Sequence, residues 1–134
     1  MENSTKLLKE FNLKVTPQRV AIVDELYHKG HLNIDELYAI MLSKFPSISL
    51  ATIYKNVNSM VEKFFISEVK IPSEKSVYEL IKEEHSHLVC EECKKIEDIV
   101  IDTSSVLDEL KSQSKFNIKH TNVIFTGVCS ECSK

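Results

Sequence analysis

Nine consecutive residues, His85-Ser86-His87-Leu88-Val89-Cys90-Glu91-Glu92-Cys93, carry two imidazoles and two thiols. Side chains alternate between the two faces of a β-strand. If residues 86–90 form a strand, His85 and His87 point to one face and Cys90 points to the other. This alternation predicts two metal sites back to back, one with nitrogen ligands and one with sulfur ligands, and not a single mixed site.

A second thiol pair, Cys129 and Cys132, repeats the two-residue spacing of Cys90 and Cys93. This spacing lets two thiolates hold one ion, and four sulfurs in a tetrahedron suit a closed structural zinc site. Two disulfides and a redox-active thiol pair are the alternatives. The N-terminal residues lack the apolar segment of a signal peptide, so we expect a cytoplasmic protein with reduced thiols, which favours zinc.

The charge of the chain is unevenly distributed along its 134 residues. Residues 1–82 hold eleven Lys or Arg against ten Asp or Glu, whereas residues 83–134 hold six against ten. Any contact with DNA is therefore expected in the first part. The apolar content of 43% is typical of a globular protein, and the absence of an apolar run of about 18 residues predicts no transmembrane helix.

Apolar periodicity predicts four helices in the first part, over residues 4–11, 17–29, 34–44 and 49–63. Thr16, Asn33 and Ser49 are the expected N-caps of the last three, and Gly30 is the expected end of the second. Two β-branched and aromatic runs, 65–71 and 77–81, then predict a hairpin. Helices followed by a two-stranded hairpin are typical of a winged helix.

The second part is predicted to contain strands over 86–90, 96–101 and 116–126, with a helix over 104–114. Thr103 is the expected cap of that helix, and Val106, Leu107 and Leu110 are expected to face inward. The charged residues Lys82-Glu83-Glu84 are the candidate hinge between the parts. The predicted fold class is therefore α+β, with an N-terminal winged helix and a small C-terminal α/β domain.

Two further groups of polar residues are candidates for function. Nitrogen and carboxylate ligands suit Fe(II), Mn(II) or Zn(II), and such a set could be formed by His31, Glu79, His85, His87 and Asp98. Spacing alone leaves open whether the residues outside the His85/His87 pair join it. The outer face of helix 49–63 could read DNA or could simply be solvated; its candidate residues are Thr52, Tyr54, Lys55 and Asn56.

Five motifs, in order along nearly the whole chain, resemble the ferric uptake regulator family. They are Thr16-Pro17-Gln18-Arg19, Asp35-Glu36-Leu37-Tyr38, Ser49-Leu50-Ala51-Thr52-Ile53-Tyr54, the nine residues from His85 to Cys93, and Gly127-Val128-Cys129 followed by Cys132. Proteins of this family are dimeric, metal-dependent bacterial transcription regulators. The resemblance implies a winged-helix DNA-binding domain over residues 1–82 and a metal-binding dimerisation domain over residues 83–134.

The resemblance also implies a role for each candidate site. The four cysteines would hold structural zinc, and the five His, Glu and Asp candidates would form one regulatory site for Fe(II) or Mn(II). An inverted-repeat operator in double-stranded DNA would be contacted by Lys14, Arg19, Thr52, Tyr54, Lys55 and Asn56. Lys14 matches a position that can reach the minor groove, and Tyr54 with its neighbours would enter the major groove.

Two carboxylates point to different branches of the family. Asp98 stands where the peroxide-sensing branch has Asp, whereas Glu79 is more typical of iron sensors. We expect a repressor that senses peroxide, with an iron-responsive regulator as the alternative. A zinc-responsive regulator, a metalloenzyme and a thiol oxidoreductase are the other classes considered, but no sequence feature indicates a substrate pocket, so we expect no enzymatic activity.

Overall fold

The computed structural model describes residues 2–81, 85–119 and 121–133. The chain divides into two compact units, Met1–Lys82 and Glu83–Lys134. The candidate hinge, Lys82-Glu83-Glu84, lies outside the described residues. Within the described ranges, no helix has the length and apolar content that crossing a membrane requires.

The first unit contains four helices and a small antiparallel sheet. Its elements are α1 (Glu2–Glu10), α2 (Pro17–Lys29), β1 (Leu32–Asn33), α3 (Ile34–Lys44), α4 (Leu50–Glu62), β2 (Ile66–Val69) and β3 (Val77–Leu80). All four predicted helices and the hairpin are present. The sheet has the order β1-β3-β2, so it has one strand more than predicted. A two-residue strand is too short to show alternation in the sequence, which is why β1 was not predicted.

The helix starts in this unit are confirmed at the level of individual hydrogen bonds. The Thr16 side chain accepts from Arg19 N at 3.2 Å, and the Ser49 hydroxyl accepts from Thr52 N at 3.1 Å. Asn33 and Glu36 form a reciprocal capping box. These bonds satisfy backbone donors that have no partner within the helix, and each is worth about 1 kcal/mol.

The core of the first unit draws on all four helices. Its fully buried side chains include Leu8, Ile22, Leu26, Leu37, Met41, Ile53, Val57 and Met60. The last three lie on one side of α4, which fixes the rotation of that helix about its axis. The opposite face of α4 is consequently presented to solvent.

The end of α4 carries a strained residue. Phe65 N donates to Met60 O and Phe64 N donates to Val61 O, the two bonds of a Schellman motif. Phe64 is the residue that must adopt positive φ, and its φ is 59°. Glycine is preferred at this position because a Cβ atom raises the energy of the left-handed conformation by about 1–2 kcal/mol.

We therefore expect Phe64→Gly to be about 1 kcal/mol more stable than Phe64→Ala. Both variants lose the aromatic ring, so their difference reports the strain caused by Cβ, less the larger backbone entropy that glycine loses on folding. All four tyrosines lie in the first unit and the chain has no tryptophan, so tyrosine fluorescence during denaturant unfolding reports on this unit. Equal stabilities for the two variants would contradict the assigned strain.

The second unit contains a three-stranded sheet and one helix. Its elements are β4 (Ser86–Cys90), β5 (Ile96–Ile99), α5 (Ser104–Gln113) and β6 (Ile124–Gly127). The strand order is β5-β4-β6, with β4 antiparallel to β5 and parallel to β6. The strand predicted over 116–126 is largely wrong, because among the residues of that range that the structure describes only 124–126 belong to β6.

Two predictions about α5 are also wrong. The Thr103 side chain makes no capping hydrogen bond; instead Asp102 Oδ1 accepts from Ser104 N at 2.9 Å. Of the three residues expected to face inward, Leu107 is half-buried, whereas Val106 and Leu110 are 56% and 44% exposed within the chain. Periodicity identifies the apolar side of a helix but does not say whether its packing partner belongs to the same chain.

Candidate metal centres and nucleic-acid interface

The four cysteines converge at one end of the second sheet. Cys90 closes β4 and is the register partner of Gly127 on the parallel strand β6, so the thiol pair that follows β6 is brought beside the first pair. The four sulfur atoms lie within 4.8 Å of one another, and Cys93 Sγ is 3.8 Å from Cys129 Sγ. Zinc bound tetrahedrally at about 2.3 Å from each sulfur would place the sulfurs about 3.8 Å apart. The cysteine group therefore fits a structural zinc ion.

The electrostatics of this group also suit a cation. Backbone N–H groups, that of Cys129 first and then that of Cys93, lower the pKa of the Cys90 thiol to about 6. Hydrogen bonding with the neighbouring sulfurs, Cys129 first and then Cys93, raises the pKa of Cys132 to about 12. One thiolate forms readily, whereas further negative charge in the same space requires a compensating cation.

His31 and Glu79 form a close pair within the first unit. His31 directly precedes β1, whose Leu32 is the register partner of Tyr78 on β3, so the next position along β3 is Glu79. His31 Nε2 lies 2.8 Å from Glu79 Oε2, and the Glu79 side chain is only 4% exposed. A buried carboxylate is costly without a polar or cationic partner, and this pair offers one nitrogen and one oxygen for a metal.

His85, His87 and Asp98 form a second group, within the second unit. Asp98 on β5 is the direct register partner of His87 on β4. Asp98 Oδ1 lies 3.6 Å from His87 Nε2 and 3.8 Å from His85 Nε2, and the two imidazole centroids are 4.6 Å apart. The imidazoles thus stay apart from the cysteine group that includes Cys90, as strand alternation predicts.

The exposed face of α4 displays part of the predicted DNA-binding set. Thr52, Tyr54 and Lys55 are exposed, and the Tyr54 side chain retains 39% of its accessible surface. Asn56 is only half-exposed, and its Oδ1 accepts from Arg19 Nε at 3.0 Å. Arg19 Nη1 also donates to the Lys14 carbonyl at 3.1 Å. Three of the six candidates therefore face solvent from α4, and the other three are joined to one another.

One basic residue of the first unit, Lys75, was not among the predicted site residues. Lys75, in the turn between β2 and β3, pairs with Asp35 at the start of α3. This contact raises the pKa of Lys75 through its hydrogen bond to Asp35. The sequence does place this lysine in the hairpin turn of the predicted winged helix, which could have marked it as a candidate. Its ion pair could not be predicted, because its partner on α3 is distant in sequence.

A sequence model of the ferric uptake regulator family matches residues 10–126. The chain belongs to the ferric uptake regulator family. As a member of this family it is a metal-dependent transcription regulator that binds DNA as a dimer, with an N-terminal DNA-binding domain and a C-terminal dimerisation domain. Its cysteine group fits structural zinc, and its His, Glu and Asp residues supply ligands that suit iron or manganese.

Individual relatives are similar over almost the whole chain. The peroxide operon regulator of Bacillus subtilis (strain 168) is 31% identical over 136 residues, which cover 100% of this chain and 94% of the relative. The Campylobacter jejuni peroxide stress regulator is 34% identical, with a TM-score of 0.73 and coverage of 96% and 98%. The Vibrio cholerae ferric uptake regulator is 26% identical, with a TM-score of 0.76 and coverage of 96% and 100%.

Proposed function

We propose that this family member is a repressor that responds to peroxide through a regulatory Fe(II) or Mn(II) site. The observation that carries the proposal is the position of Asp98, directly opposite His87 and within 4 Å of both imidazoles of the second unit. An aspartate at this position is the feature that resembles the peroxide-sensing branch. The peroxide regulators of Bacillus subtilis and Campylobacter jejuni support the same assignment.

An iron-responsive regulator is the second candidate, and Glu79 is the observation that favours it. Glutamate at this position is more typical of iron sensors, and here its carboxylate is buried against His31. The two candidates share the same ligands and the same DNA-binding unit. They differ in whether peroxide chemically modifies the ligands.

The proposed regulatory ligands are three imidazoles and two carboxylates: His31, Glu79, His85, His87 and Asp98. Support comes from the short contacts inside each unit, which already pair a nitrogen with an oxygen in both. Fe(II) and Mn(II) accept such mixed nitrogen and oxygen ligation. The cysteines are proposed to hold zinc independently, because sulfur ligands favour that metal.

The ligands come from both sides of Lys82-Glu83-Glu84 in the sequence, and this arrangement suggests how metal controls DNA binding. An ion that uses all five ligands favours the conformations in which they converge, so it shifts the population toward them. In a dimer, a restricted conformation fixes the spacing of two α4 helices to match an inverted repeat. Loss of a ligand would remove that restriction, and the protein would then dissociate from the operator.

The operator contacts are proposed to come from the first unit. Tyr54 and Thr52 would meet base edges in the major groove, and Lys55 and Lys14 would meet phosphates or the adjacent minor groove. Arg19 and Asn56 complete the proposed set. A second copy of the chain would cover the apolar residues that α5 leaves exposed, including Val106 and Leu110.

The proposed function also predicts the cellular compartment of the protein and whether it is an enzyme. We place it in the cytoplasm, because a DNA-binding regulator acts there and because reduced thiols are needed to hold zinc. We assign it no catalytic turnover, since the named relatives are regulators. Protein that turned over a substrate without binding DNA would contradict this assignment.

Peroxide is proposed to oxidise an imidazole of the regulatory site. Bound Fe(II) would supply the redox chemistry that makes peroxide reactive beside its ligands. In the net reaction, peroxide transfers one oxygen atom to an imidazole carbon and leaves as water, while the ring loses two electrons. His31 and His85 are the proposed targets. An oxidised imidazole is a poor ligand, so the change would be irreversible.

The test compares the iron and manganese forms after mild peroxide treatment. Peptide mass spectrometry is expected to find a one-oxygen gain on the His31 or His85 peptide only with iron, together with loss of operator binding. The manganese form, which reacts far less readily, is expected to stay intact and bound. An iron form that keeps both histidines and its operator would instead favour the iron-responsive regulator.

A further inference from the structure

Arg19 connects two segments that are proposed to meet DNA in different grooves. Its Nε donates to Asn56 Oδ1 on α4 at 3.0 Å, and its Nη1 donates to the Lys14 carbonyl at 3.1 Å. Its backbone N–H is held by the Thr16 side chain at 3.2 Å, which fixes Arg19 in the first turn of α2. The guanidinium therefore bridges the segment before α2 to the middle of α4.

The position of Asn56 on α4 indicates a supporting role. Ile53, Val57 and Met60 define the buried side of the helix, and position 56 lies at the edge of that side, toward α2. Tyr54 lies at the opposite edge. Asn56 is half-exposed, whereas Tyr54 and Lys55 are exposed.

The residue type at position 19 is informative. The chain has 17 Lys and Arg residues, and Arg19 is its single arginine. A lysine can neutralise a phosphate as a point charge, but its ammonium group lacks the rigid planar fork of donors that guanidinium has. Here Asn56 Oδ1 and the Lys14 carbonyl lie on separate segments, and each accepts from a different nitrogen of the Arg19 side chain. Only the guanidinium fork provides donors on separate nitrogens in this way.

We infer that Arg19 is a positioning residue that holds the Lys14 segment and α4 in a fixed relation, so that Lys14 and Tyr54 engage the operator together. This inference rests on the proposed operator contacts. It separates the six candidate residues into four that meet DNA and two, Arg19 and Asn56, that position them. A positioning residue affects affinity through the contacts it orients, and its removal should erase the contribution of Lys14.

The decisive experiment is a double-mutant cycle between Arg19→Lys and Lys14→Ala in the full-length, manganese-loaded dimer. Arg19→Lys keeps the charge but loses the fork, and we expect about tenfold weaker operator binding, with a smaller loss on random DNA. Lys14→Ala alone should weaken both and reduce the salt slope by about one. In the Arg19→Lys background, Lys14→Ala should cost roughly twofold or less.

Two other roles for Arg19 predict different results. If Arg19 contacted phosphate directly, Arg19→Lys would keep most of the operator affinity and the cost of Lys14→Ala would be the same in its background, and the inference would be overturned. Unchanged operator affinity in Arg19→Lys would overturn it as well. A purely structural role would lower stability, followed by tyrosine fluorescence, without erasing the Lys14 effect. Asn56→Ala should reproduce the Arg19→Lys result, and the double variant should be no weaker than either single variant.

Tyr54→Ala separates this inference from the proposed function. Its operator affinity should fall by about tenfold or more, with little change on random DNA. If Tyr54→Ala binds the operator normally, the proposed α4 interface itself fails. If Tyr54→Ala is impaired while Arg19→Lys is not, only the positioning role fails.

Discussion

Cys93→Ser is expected to lose the structural zinc and, with it, the folded state of the second unit and the dimer. The four sulfurs lie within 4.8 Å of one another, a grouping that fits tetrahedral zinc, and structural zinc in small domains contributes roughly 10 kcal/mol or more of apparent binding free energy. Serine offers an oxygen that stays protonated and binds zinc poorly. Most of that free energy should therefore disappear with one sulfur atom.

The second unit has little else to keep it folded. Among its described residues, only Ser86, His87, Val89 and Cys90 are buried, and all four belong to β4. Large apolar side chains such as Val100 and Phe116 are 77% and 81% exposed within the chain. A unit of this size without a core of its own depends on metal binding or on association with a partner. This is why the expected effect is large.

The measurements are zinc content, the mass of the assembly and tyrosine fluorescence. Cys93→Ser should contain no zinc and run as a monomer with a partly unfolded chain, while the tyrosine signal of the first unit persists. Ser130→Ala, in the same loop as Cys129 but without a sulfur, is the control and should match the parent protein. A well-folded, dimeric Cys93→Ser protein without zinc would refute the structural role of the ion.

Asp98→Asn is expected to abolish the response of operator binding to Mn(II). The substitution preserves the size of the side chain but removes the negative charge that faces both His85 and His87. Changes around a metal ligand typically reduce metal affinity by about 10–100-fold, and loss of a charged ligand should lie at the upper end. Operator affinity in Mn(II) should fall to the level of chelator-treated parent protein.

Glu97→Gln provides a matched control for this variant. Glu97 is the neighbouring acid on β5, points to the other face of the strand and pairs with Lys95 at 3.0 Å. Glu97→Gln removes the same negative charge as Asp98→Asn and should leave Mn(II) binding and operator affinity unchanged. Zinc content should be the same in both variants. Normal Mn(II)-dependent operator binding by Asp98→Asn would remove Asp98 from the regulatory site.

Local features of this fold could be predicted from the sequence alone. The helix starts at Thr16, Asn33 and Ser49 were correct because a cap depends on bonds between residues three apart. The ferric uptake regulator family was identifiable from motifs whose order and spacing are themselves sequence properties. The separation of imidazoles from thiols followed from alternation along a single strand.

The tertiary structure alone decided which distant residues meet. Asp98 faces His87 because β4 and β5 pair in one register, and a shift by one residue would turn Asp98 to the other face. The Arg19–Asn56 bond spans 37 positions and depends on how α2 packs on α4. The exposed apolar face of α5 was mispredicted for the same reason. Periodicity identifies the side of a helix or strand that can be buried, whereas the free energy of the whole assembly determines which partner covers it.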